Sequence, residues 1–411
     1  MEGTKQKNLP KKVIGDFVLS IFASSLSVFT AQLVIYPILG NRIGETEFGK
    51  LLTLMGVVNA ISAAFGNTLN NTRLLLQRNY EQKGIQGDFN ILFLIVAFLV
   101  ATSTFFIALL LFSLPIVDSI WLVVIAVLIC ARSYYAVSFR IVINYFEIFI
   151  LSLVLSVGYL LGLYISKVVN SWQFCFLTGE TFAFVYLLFR APLFKEGLKK
   201  TKLWVESRNK YIVLLAATLL SSSLVYMDRF LIYPMLGAAD VPVYNAASLL
   251  GKSLGIVTIP LTGVILSYYS KMEKMGLKTF LLQLLIAGAI SILAFIMILL
   301  FGPWFLSIIY PLYYREAQKI LAVSSLSSIS FILGSVIQPT TLRFAKSYWQ
   351  TIIQASYFAI YVIIAIALMK ANGLYGFSIG TLLANIYRLL FILFLSIISL
   401  KKGEKQHESL Y

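Results

Sequence analysis

Two near copies of one short phrase organise this chain: Ile35-Tyr36-Pro37-Ile38-Leu39-Gly40 and, 197 residues later, Ile232-Tyr233-Pro234-Met235-Leu236-Gly237. Each copy closes a long apolar stretch. An aromatic residue opens the next stretch, Phe48 after the first copy and Tyr244 after the second. A duplication at about half the chain length, made of apolar segments, is typical of membrane carriers built from two related bundles. We therefore expect two related lobes with the same orientation.

The composition indicates that most of the chain lies in a membrane rather than in water. The chain has 411 residues, of which 59% are apolar and 12% charged, and its mean hydropathy is +0.88. Soluble domains carry about 25% charged residues. Apolar runs of about 20 residues, enough to cross the hydrocarbon core of a bilayer, recur from Val13 to Leu400.

From these runs we predict an all-α integral membrane protein with about twelve transmembrane helices in two related six-helix lobes. The predicted divisions are an N-terminal lobe (1–190), a basic cytoplasmic linker (191–210), a C-terminal lobe (211–400) and a polar cytoplasmic tail (401–411).

The distribution of the basic residues indicates the topology in the membrane. The formal net charge is +16, and 24 of the 33 Lys and Arg fall in alternate connections, on one side of the predicted spans. Six fall on the other side, and three lie within spans. This bias is the positive-inside rule, so both termini are predicted to be cytoplasmic. The basic excess is explained without a nucleic-acid partner.

The sequence lacks the features of an enzyme. Its outer connections are short, so an acceptor substrate and its acid/base residues would have no extramembrane platform. His407, the only histidine, lies in the polar tail. Cys130 and Cys175 lie in apolar spans, which indicates packing residues rather than a disulfide framework or a metal cluster. We predict no catalytic site, no metal site and no cofactor.

Three basic residues lie inside predicted spans of the second half: Arg229, Lys252 and Arg388. A charge at the bilayer centre costs at least about 2.5–3.5 kcal/mol on insertion scales, so these residues are candidates for a cationic, substrate-binding lumen. Lys252 has an alternative interpretation, because a lysine near the end of a span can extend to the interface. Arg388 lies far from either end of its span, and we expect it to point inward.

Two carboxylates inside spans are candidates for ion coupling. Asp228 directly precedes Arg229. Either this pair is functional, or the two charges neutralise each other and lock the helix to a neighbour. The corresponding first-half residues are Ala31 and Gln32, so the charges are specific to one lobe. Glu180 lies near the middle of the sixth span, where a desolvated carboxyl is a plausible proton site.

Polar residues on the second span are further candidates. Asn59, Asn67 and Asn70 lie close to one helical face, which indicates either a wet, substrate-binding cavity or interhelical hydrogen bonds. Three arginines lie near predicted cytoplasmic span ends: Arg73, Arg132 and Arg140. They either mark topology or recruit an anionic headgroup, because arginine forms bidentate bonds with phosphate oxygens.

Several short motifs occur in a particular order. They are Asp228-Arg229, Leu236-Gly237, Val243-Tyr244-Asn245-Ala246-Ala247, Gly302-Pro303 through Tyr310-Pro311, and Asn372-Gly373-Leu374-Tyr375-Gly376 leading to Asn385 and Arg388. Their order and spacing resemble those of bacterial polysaccharide flippases. These are the O-antigen, capsule and exopolysaccharide exporters of the multidrug/oligosaccharidyl-lipid/polysaccharide superfamily. The resemblance covers essentially the whole chain and is strongest from Asp228 onward.

The resemblance implies a flippase that works by alternating access. Its substrate would be undecaprenyl-pyrophosphate-linked oligosaccharide repeat units, which cross the bacterial cell membrane for cell-surface polysaccharide biosynthesis. The resemblance also implies a cationic lumen that receives the pyrophosphate, and polysaccharide polymerase or assembly proteins as partners. Two alternatives stay open: an ion-coupled small-molecule or drug antiporter of the same superfamily, and a membrane polysaccharide polymerase or glycosyltransferase.

Overall fold

The computed structural model describes residues 19, 22, 25–270, 272, 275–346 and 348–408. Over these ranges the chain is helical, with no strand, and the connections between helices are short except for the one at 191–203. The start of the first predicted span, from residue 13, and the last residues of the predicted tail, 409–411, lie outside the described residues.

The described part of the first half forms six helices. Their bounds are Ser25–Ile43 (α1), Glu45–Lys83 (α2), Asp88–Leu110 (α3), Ile116–Ile141 (α4), Tyr145–Val168 (α5) and Gln173–Arg190 (α6). Within α1 the segment Thr30–Ile35 is π-helical. Helix α4 turns at Ala136, between Ile116–Tyr135 and Val137–Ile141.

The second half adds six helices over its described residues. Helix α7 has two arms, Trp204–Val225 and Met227–Leu236, which meet at a bend of 56°. The next three are Asp240–Ser270 (α8), Leu277–Ile309 (α9) and Tyr314–Phe344 (α10). The segment Tyr348–Glu408 is broken at Asn372 and Gly373 into α11 (348–371) and α12 (374–408). Gly373 has φ of +56° and ψ of −139°, a conformation that glycine adopts without a clash from a Cβ.

The helices have the length and composition of membrane spans. By these two properties alone, eight of the described helices can cross a bilayer, or nine when the bent α7 counts as one span. One of the eight, Tyr348–Lys401, contains both α11 and α12, whereas α6 and α8 are not among them. The prediction of an all-α, multi-pass membrane protein with about twelve helices is confirmed.

The described helices form two compact units. One holds α1 and Glu47–Phe230, and the other holds Gly44–Thr46 and the chain from Leu231 onward. The division falls inside α7 rather than at the linker 191–210, because α7 begins against the first unit. The Ser207 hydroxyl lies 2.7 Å from the Tyr80 hydroxyl of α2. A boundary of the duplication at 191–210 stays a prediction.

Small residues bring α5 and α6 of the first unit into close contact. A Cβ at Gly162 of α5 would lie 2.4 Å from the carbonyl oxygen of Cys175 on α6, and one at Gly158 would lie 2.7 Å from the Cα of Gly179. Small residues allow helix backbones to approach this closely in a membrane. The contact places Glu180, which follows Gly179 on α6, beside α5.

Helix α10 is central to the second unit, where α8, α9 and the α11–α12 segment pack against it. Its serine-rich sequence allows this packing. A Cβ at Gly251 of α8 would lie 2.7 Å from the Cβ of Ser328, and the Ser324 hydroxyl donates to the Ala247 carbonyl at 3.1 Å.

Candidate substrate-binding cavity and buried charges

The first unit contains a polar cavity of about 520 Å³ between α2, α4 and α5. Five residues singled out from the sequence line it: Asn59, Asn67, Asn70, Arg132 and Arg140. The other lining residues are Ala63, Ile129, Ser133, Ala136, Tyr145, Ile148, Leu151, Ser152 and Leu155. The volume falls within the range of small-molecule sites, about 300–1,000 Å³. The structure therefore brings together residues to which the sequence assigned two different roles.

The asparagines of α2 serve both of the purposes expected of them. The Asn70 side chain donates to the Ser133 carbonyl at 2.9 Å and so ties α2 to α4. The Asn59 side chain donates to the Met55 carbonyl of its own helix at 2.7 Å. Asn67 is exposed on the cavity wall. One asparagine thus makes an interhelical bond, while all three contribute polar surface to the cavity.

Arg132 connects the cavity to a buried carboxylate. Its Nε donates to Glu180 Oε2 at 2.7 Å and its Nη2 donates to Glu180 Oε1 at 3.0 Å. The Tyr159 hydroxyl donates to Glu180 Oε1 at 2.8 Å. Glu180 is fully buried, whereas the Arg132 side chain is 25% exposed. Bidentate geometry of this kind is the strong form of an arginine–carboxylate bond. The Glu180 charge is therefore compensated from two neighbouring helices.

Arg140 gives the cavity its excess positive charge. Its Nη1 donates to Asn70 Oδ1 at 2.6 Å and lies 3.4 Å from Asn71 Oδ1. The Arg140 side chain is exposed. Among the ion pairs of the described residues none involves Arg140. With Arg132 paired to Glu180, the Arg140 guanidinium leaves the cavity with a net positive charge.

Arg73, the third arginine of this group, lies elsewhere. It is buried, its Nη2 donates to Glu196 Oε1 at 2.6 Å, and its guanidinium lies 5.0 Å from the ring centres of both Tyr80 and Phe89. In this conformation Arg73 is occupied by the linker and shielded from a headgroup. Burial raises the pKa of the Glu196 carboxyl above its ordinary value, although the Arg73 guanidinium acts in the opposite direction.

The linker is fastened to the first unit by polar residues at the start of α3. Asp88 Oδ1 accepts from the backbone N–H of Thr201 at 2.6 Å. The Asn90 side chain donates to the carbonyls of Leu193 and Glu196 at 3.0 and 2.7 Å. The linker is therefore a packed part of the unit over these residues, although its composition is basic.

Asp228 and Arg229 lie at the bend of α7, and both are buried. Asp228 Oδ1 accepts from the backbone N–H of Arg229 at 2.9 Å. Arg229 Nη1 donates to the Leu52 carbonyl of α2 at 2.8 Å, and its guanidinium lies 5.5 Å from the centre of the Tyr226 ring. The contact to Leu52 ties this arm of α7 to α2, which is the locking role considered for the pair.

The other two basic candidates belong to the second unit. Lys252 is exposed on α8, and its Nζ lies 5.3 Å from the centre of the Tyr244 ring. Arg388 is 3% exposed on α12. Its Nη1 donates to the Phe331 carbonyl at 3.0 Å and its Nη2 donates to Gln338 Oε1 at 2.8 Å. Arg388 points inward, as the cost of placing it in lipid requires.

Two aromatic rings lie beside the Arg388 guanidinium. It lies 4.4 Å from the centre of the Phe331 ring and 5.7 Å from that of Tyr357. Its bonding partners in the described part of the chain are neutral, and no carboxylate forms an ion pair with it there. Cation–π contacts and carbonyl bonds can hold a desolvated arginine. The interior of the second unit is therefore also positive.

Sequence reasoning missed several partners of these charges. Tyr159 completes the Glu180 site, and Ser335 and Gln338 complete the Arg388 site. Ser335 and Gln338 are three residues apart on α10, so a search for polar residues at helical spacing opposite Arg388 could have found them. Nothing in the local sequence distinguishes Tyr159 from the other tyrosines, because its role depends on the α5–α6 contact.

No family model and no curated protein matches this chain. Solved structures do. Vibrio cholerae MATE transporter VcmN in the bent form is 14% identical, covers 96% of this chain and 98% of its own, and superposes with a TM-score of 0.63. An inward-facing multidrug resistance MATE family transporter of the MOP superfamily is 13% identical, with coverage of 96% and 94% and a TM-score of 0.66.

A lipid II flippase has a similar fold. The structure of MurJ in its inward closed conformation is 12% identical, covers 97% of this chain and 92% of its own, and has a TM-score of 0.67. At such identities the likeness concerns the fold. The chain has the two-lobed helical fold found in MATE transporters and in this flippase, and these three structures are of transport proteins rather than enzymes.

Proposed function

We propose that this protein is a flippase for undecaprenyl-pyrophosphate-linked oligosaccharide repeat units. It would move them across the cell membrane by alternating access, for biosynthesis of a cell-surface polysaccharide such as an O-antigen, a capsule or an exopolysaccharide. The observation that carries this proposal is the positively charged cavity of the first unit. Two guanidiniums, Arg132 and Arg140, line it together with three asparagines.

The chemistry of this cavity suits a pyrophosphate attached to sugars. Guanidinium groups bind phosphate oxygens in a bidentate manner, and asparagine side chains offer both donors and acceptors to sugar hydroxyls. Arg140 lies near the end of α4 and is exposed. By the positive-inside rule this end faces the cytoplasm, where the lipid-linked substrate is assembled.

The buried cations of both units extend this interpretation. Arg229 in the first unit and Arg388 in the second are held by backbone carbonyls and aromatic rings. Lys252 is exposed and able to contribute a further positive charge. We propose that these residues, each within its own unit, are further cationic substrate-binding positions.

Partners follow from the same proposal. The bilayer holds the lipid tail of the substrate, and a polysaccharide polymerase or assembly protein takes up the repeat unit after transfer. The likeness to the lipid II flippase MurJ supports a lipid-linked glycan as substrate. We place the protein in a bacterial cell membrane, with both termini cytoplasmic.

A small-molecule or drug antiporter is the second candidate, favoured by the likeness to MATE transporters and by the buried acid Glu180. An uncompensated carboxylate would favour the binding of a cationic drug. Glu180 is bonded to Arg132 through both oxygens and to Tyr159 through one. The cavity therefore carries the wrong net charge for a cationic ligand in this conformation, which favours the flippase.

Replacing Arg140 tests the proposal. In proteoliposomes carrying a fluorescent undecaprenyl-pyrophosphate oligosaccharide, we expect Arg140→Gln to slow leaflet exchange at least about tenfold. A hydrogen bond to a charged group contributes about 1.5–3 kcal/mol. Arg78→Gln is the control, because Arg78 is exposed on α2 and does not line the cavity. Equal rates of leaflet exchange in the two variants would show that the cavity is not part of the transport path.

A further inference from the structure

The bonding of Arg132 leaves one side of its guanidinium available. Nε and Nη2 donate to Glu180, while Nη1 donates no hydrogen bond to any of the described residues. The side chain is 25% exposed and lines the cavity, whereas Glu180 is fully buried behind it. Arg132 is thus the point at which a ligand in the cavity reaches a buried acid.

The groups around Glu180 determine what happens if it loses Arg132. Tyr159 of α5 bonds to it, and Tyr36 of α1 and Tyr226 of α7 are the next ionisable groups, near Tyr159 and Arg132 respectively. Beyond Tyr226 lie Asp228 and Arg229. Among these groups Arg132 is the cation bonded to Glu180. A buried carboxylate deprived of its partner is strongly destabilised, and protonation removes the uncompensated charge.

We propose that Arg132 is exchanged between Glu180 and an anionic phosphate group in the cavity, and that Glu180 takes up a proton when the exchange occurs. This inference rests on the proposed function and explains how that site couples to protons. The phosphate accepts hydrogen bonds from the Arg132 guanidinium. Glu180 becomes a neutral carboxyl that stays bonded to the Tyr159 hydroxyl.

The direction of the pH dependence of binding follows from this proton uptake. Binding of the anion consumes a proton, so the affinity rises as the pH falls. One proton taken up per ligand changes the dissociation constant by up to about tenfold per pH unit.

A second acid–arginine–tyrosine group in the same unit provides a matched control. Glu147 of α5 is bonded to Arg190 and Tyr186 of α6. The Arg190 side chain is 58% exposed, and none of these three residues lines the cavity. The two groups share their chemistry, and both join α5 to α6, but only the Glu180 group is connected to the cavity, through Arg132 of α4.

The experiment measures binding to the purified full-length protein in detergent, from mildly acidic to mildly alkaline pH. The probe is a short-chain polyprenyl-pyrophosphate sugar, a pyrophosphate diester whose own charge is constant over this range. Calorimetry in buffers of different ionisation enthalpy gives the dissociation constant and the number of protons taken up. Phosphatidylglycerol is a second probe, because a membrane headgroup offers the same phosphate chemistry.

We expect the natural protein to take up close to one proton per pyrophosphate probe and to bind more tightly at lower pH. Glu180→Gln should bind with the low-pH affinity at every pH and take up no proton, and Glu147→Gln should behave like the natural protein. Binding without proton uptake, uptake retained in Glu180→Gln, or no binding of either probe would overturn the exchange. Proton-linked binding of phosphatidylglycerol alone would support it and contradict the proposed substrate.

A milder variant keeps the test valid if Glu180→Gln does not fold. Tyr159→Phe leaves the Arg132–Glu180 pair in place and removes one hydrogen bond to the carboxylate. The carboxylate is then less favoured, so the pH at which affinity changes should move upward. An unchanged pH profile in Tyr159→Phe would contradict a role for Glu180.

Discussion

Single charged residues in this protein are kept inside an apolar bundle in two different ways. Glu180 is compensated by an arginine through two bonds, with a tyrosine hydroxyl as a third. Arg388 is held by neutral carbonyl, amide and hydroxyl groups and by aromatic rings. The first arrangement contains a charge pair that a ligand can separate. The second leaves a net positive charge in place.

The buried carboxyl of the linker makes a prediction about pH. Burial raises the pKa of Glu196 above its ordinary value, which is about 4.3, so the folded state binds its proton more strongly than the unfolded chain. This proton therefore stabilises the fold at low pH, and that contribution is lost as the pH rises through the raised pKa. As the pH rises through this pKa, the thermal stability of the natural protein should fall relative to that of Glu196→Gln.

Unfolding midpoints of both proteins in detergent, measured from acidic to neutral pH, check this prediction. Glutamine can keep a hydrogen bond to Arg73, so the comparison isolates the ionisation of Glu196. If the natural protein gained stability relative to the variant as the pH rose, the Arg73 ion pair would dominate over burial at this carboxyl.

The sequence could predict which residues are candidates but not how they are distributed. The asparagines of α2 were placed on one face by helical spacing, and the structure has all three at one cavity. Arg73 and Arg140 looked alike as basic residues at span ends. They differ because Glu196, far away in the chain, folds back onto Arg73 alone. Such long-range pairings depend on helix packing and leave no local pattern.

At the scale of helices, close contact between α5 and α6 positions the Glu180 site. Gly162→Ala would place a Cβ 2.4 Å from the Cys175 carbonyl oxygen, an atom of the backbone that cannot rotate away. We expect this variant to separate the two helices and to lose about 1–3 kcal/mol of stability, as overpacking usually does. Thermal unfolding in detergent measures the loss.

Gly288→Ala is the matched control, because a Cβ at Gly288 of α9 meets no atom within 4 Å. The control should unfold at or above the midpoint of the natural protein, since alanine favours helix over glycine. Equal midpoints for Gly162→Ala and Gly288→Ala would show that the α5–α6 contact is looser than the structure has it.

Helix number was predictable from hydrophobic runs of sufficient length, and helix bounds were less so. Helix α2 extends from Glu45 to Lys83, well beyond its apolar part, because polar residues such as Arg73 and Tyr80 are buried against the linker. The bend between the two arms of α7 occurs at Tyr226 without a proline there. Both features come from packing rather than from local composition.

For the molecule as a whole, the charge distribution predicts the orientation in the membrane. The natural cysteines, Cys130 and Cys175, are buried, so introduced cysteines can be labelled against a low background. Lys167 at the end of α5 and Lys199 in the linker are both exposed. In intact cells, a membrane-impermeant maleimide should label Lys167→Cys. It should label Lys199→Cys only after permeabilisation.

The reverse labelling pattern would show that the topology is the opposite of the predicted one. It would place the Arg140 end of the cavity outside the cell and contradict loading of substrate from the cytoplasm. Labelling of both positions in intact cells would contradict the number of spans that separates them.

Leaflet exchange in liposomes tests whether a lipid-linked, pyrophosphate-bearing glycan is the substrate. Purified protein is reconstituted with a fluorescent undecaprenyl-pyrophosphate oligosaccharide, and exchange is followed by quencher accessibility, with and without a proton gradient. A cationic dye is measured in parallel. We predict protein-dependent exchange of the lipid-linked glycan and no gradient-driven accumulation of the dye. Accumulation of the dye without glycan exchange, by correctly folded protein, would rule out the flippase and establish the antiporter.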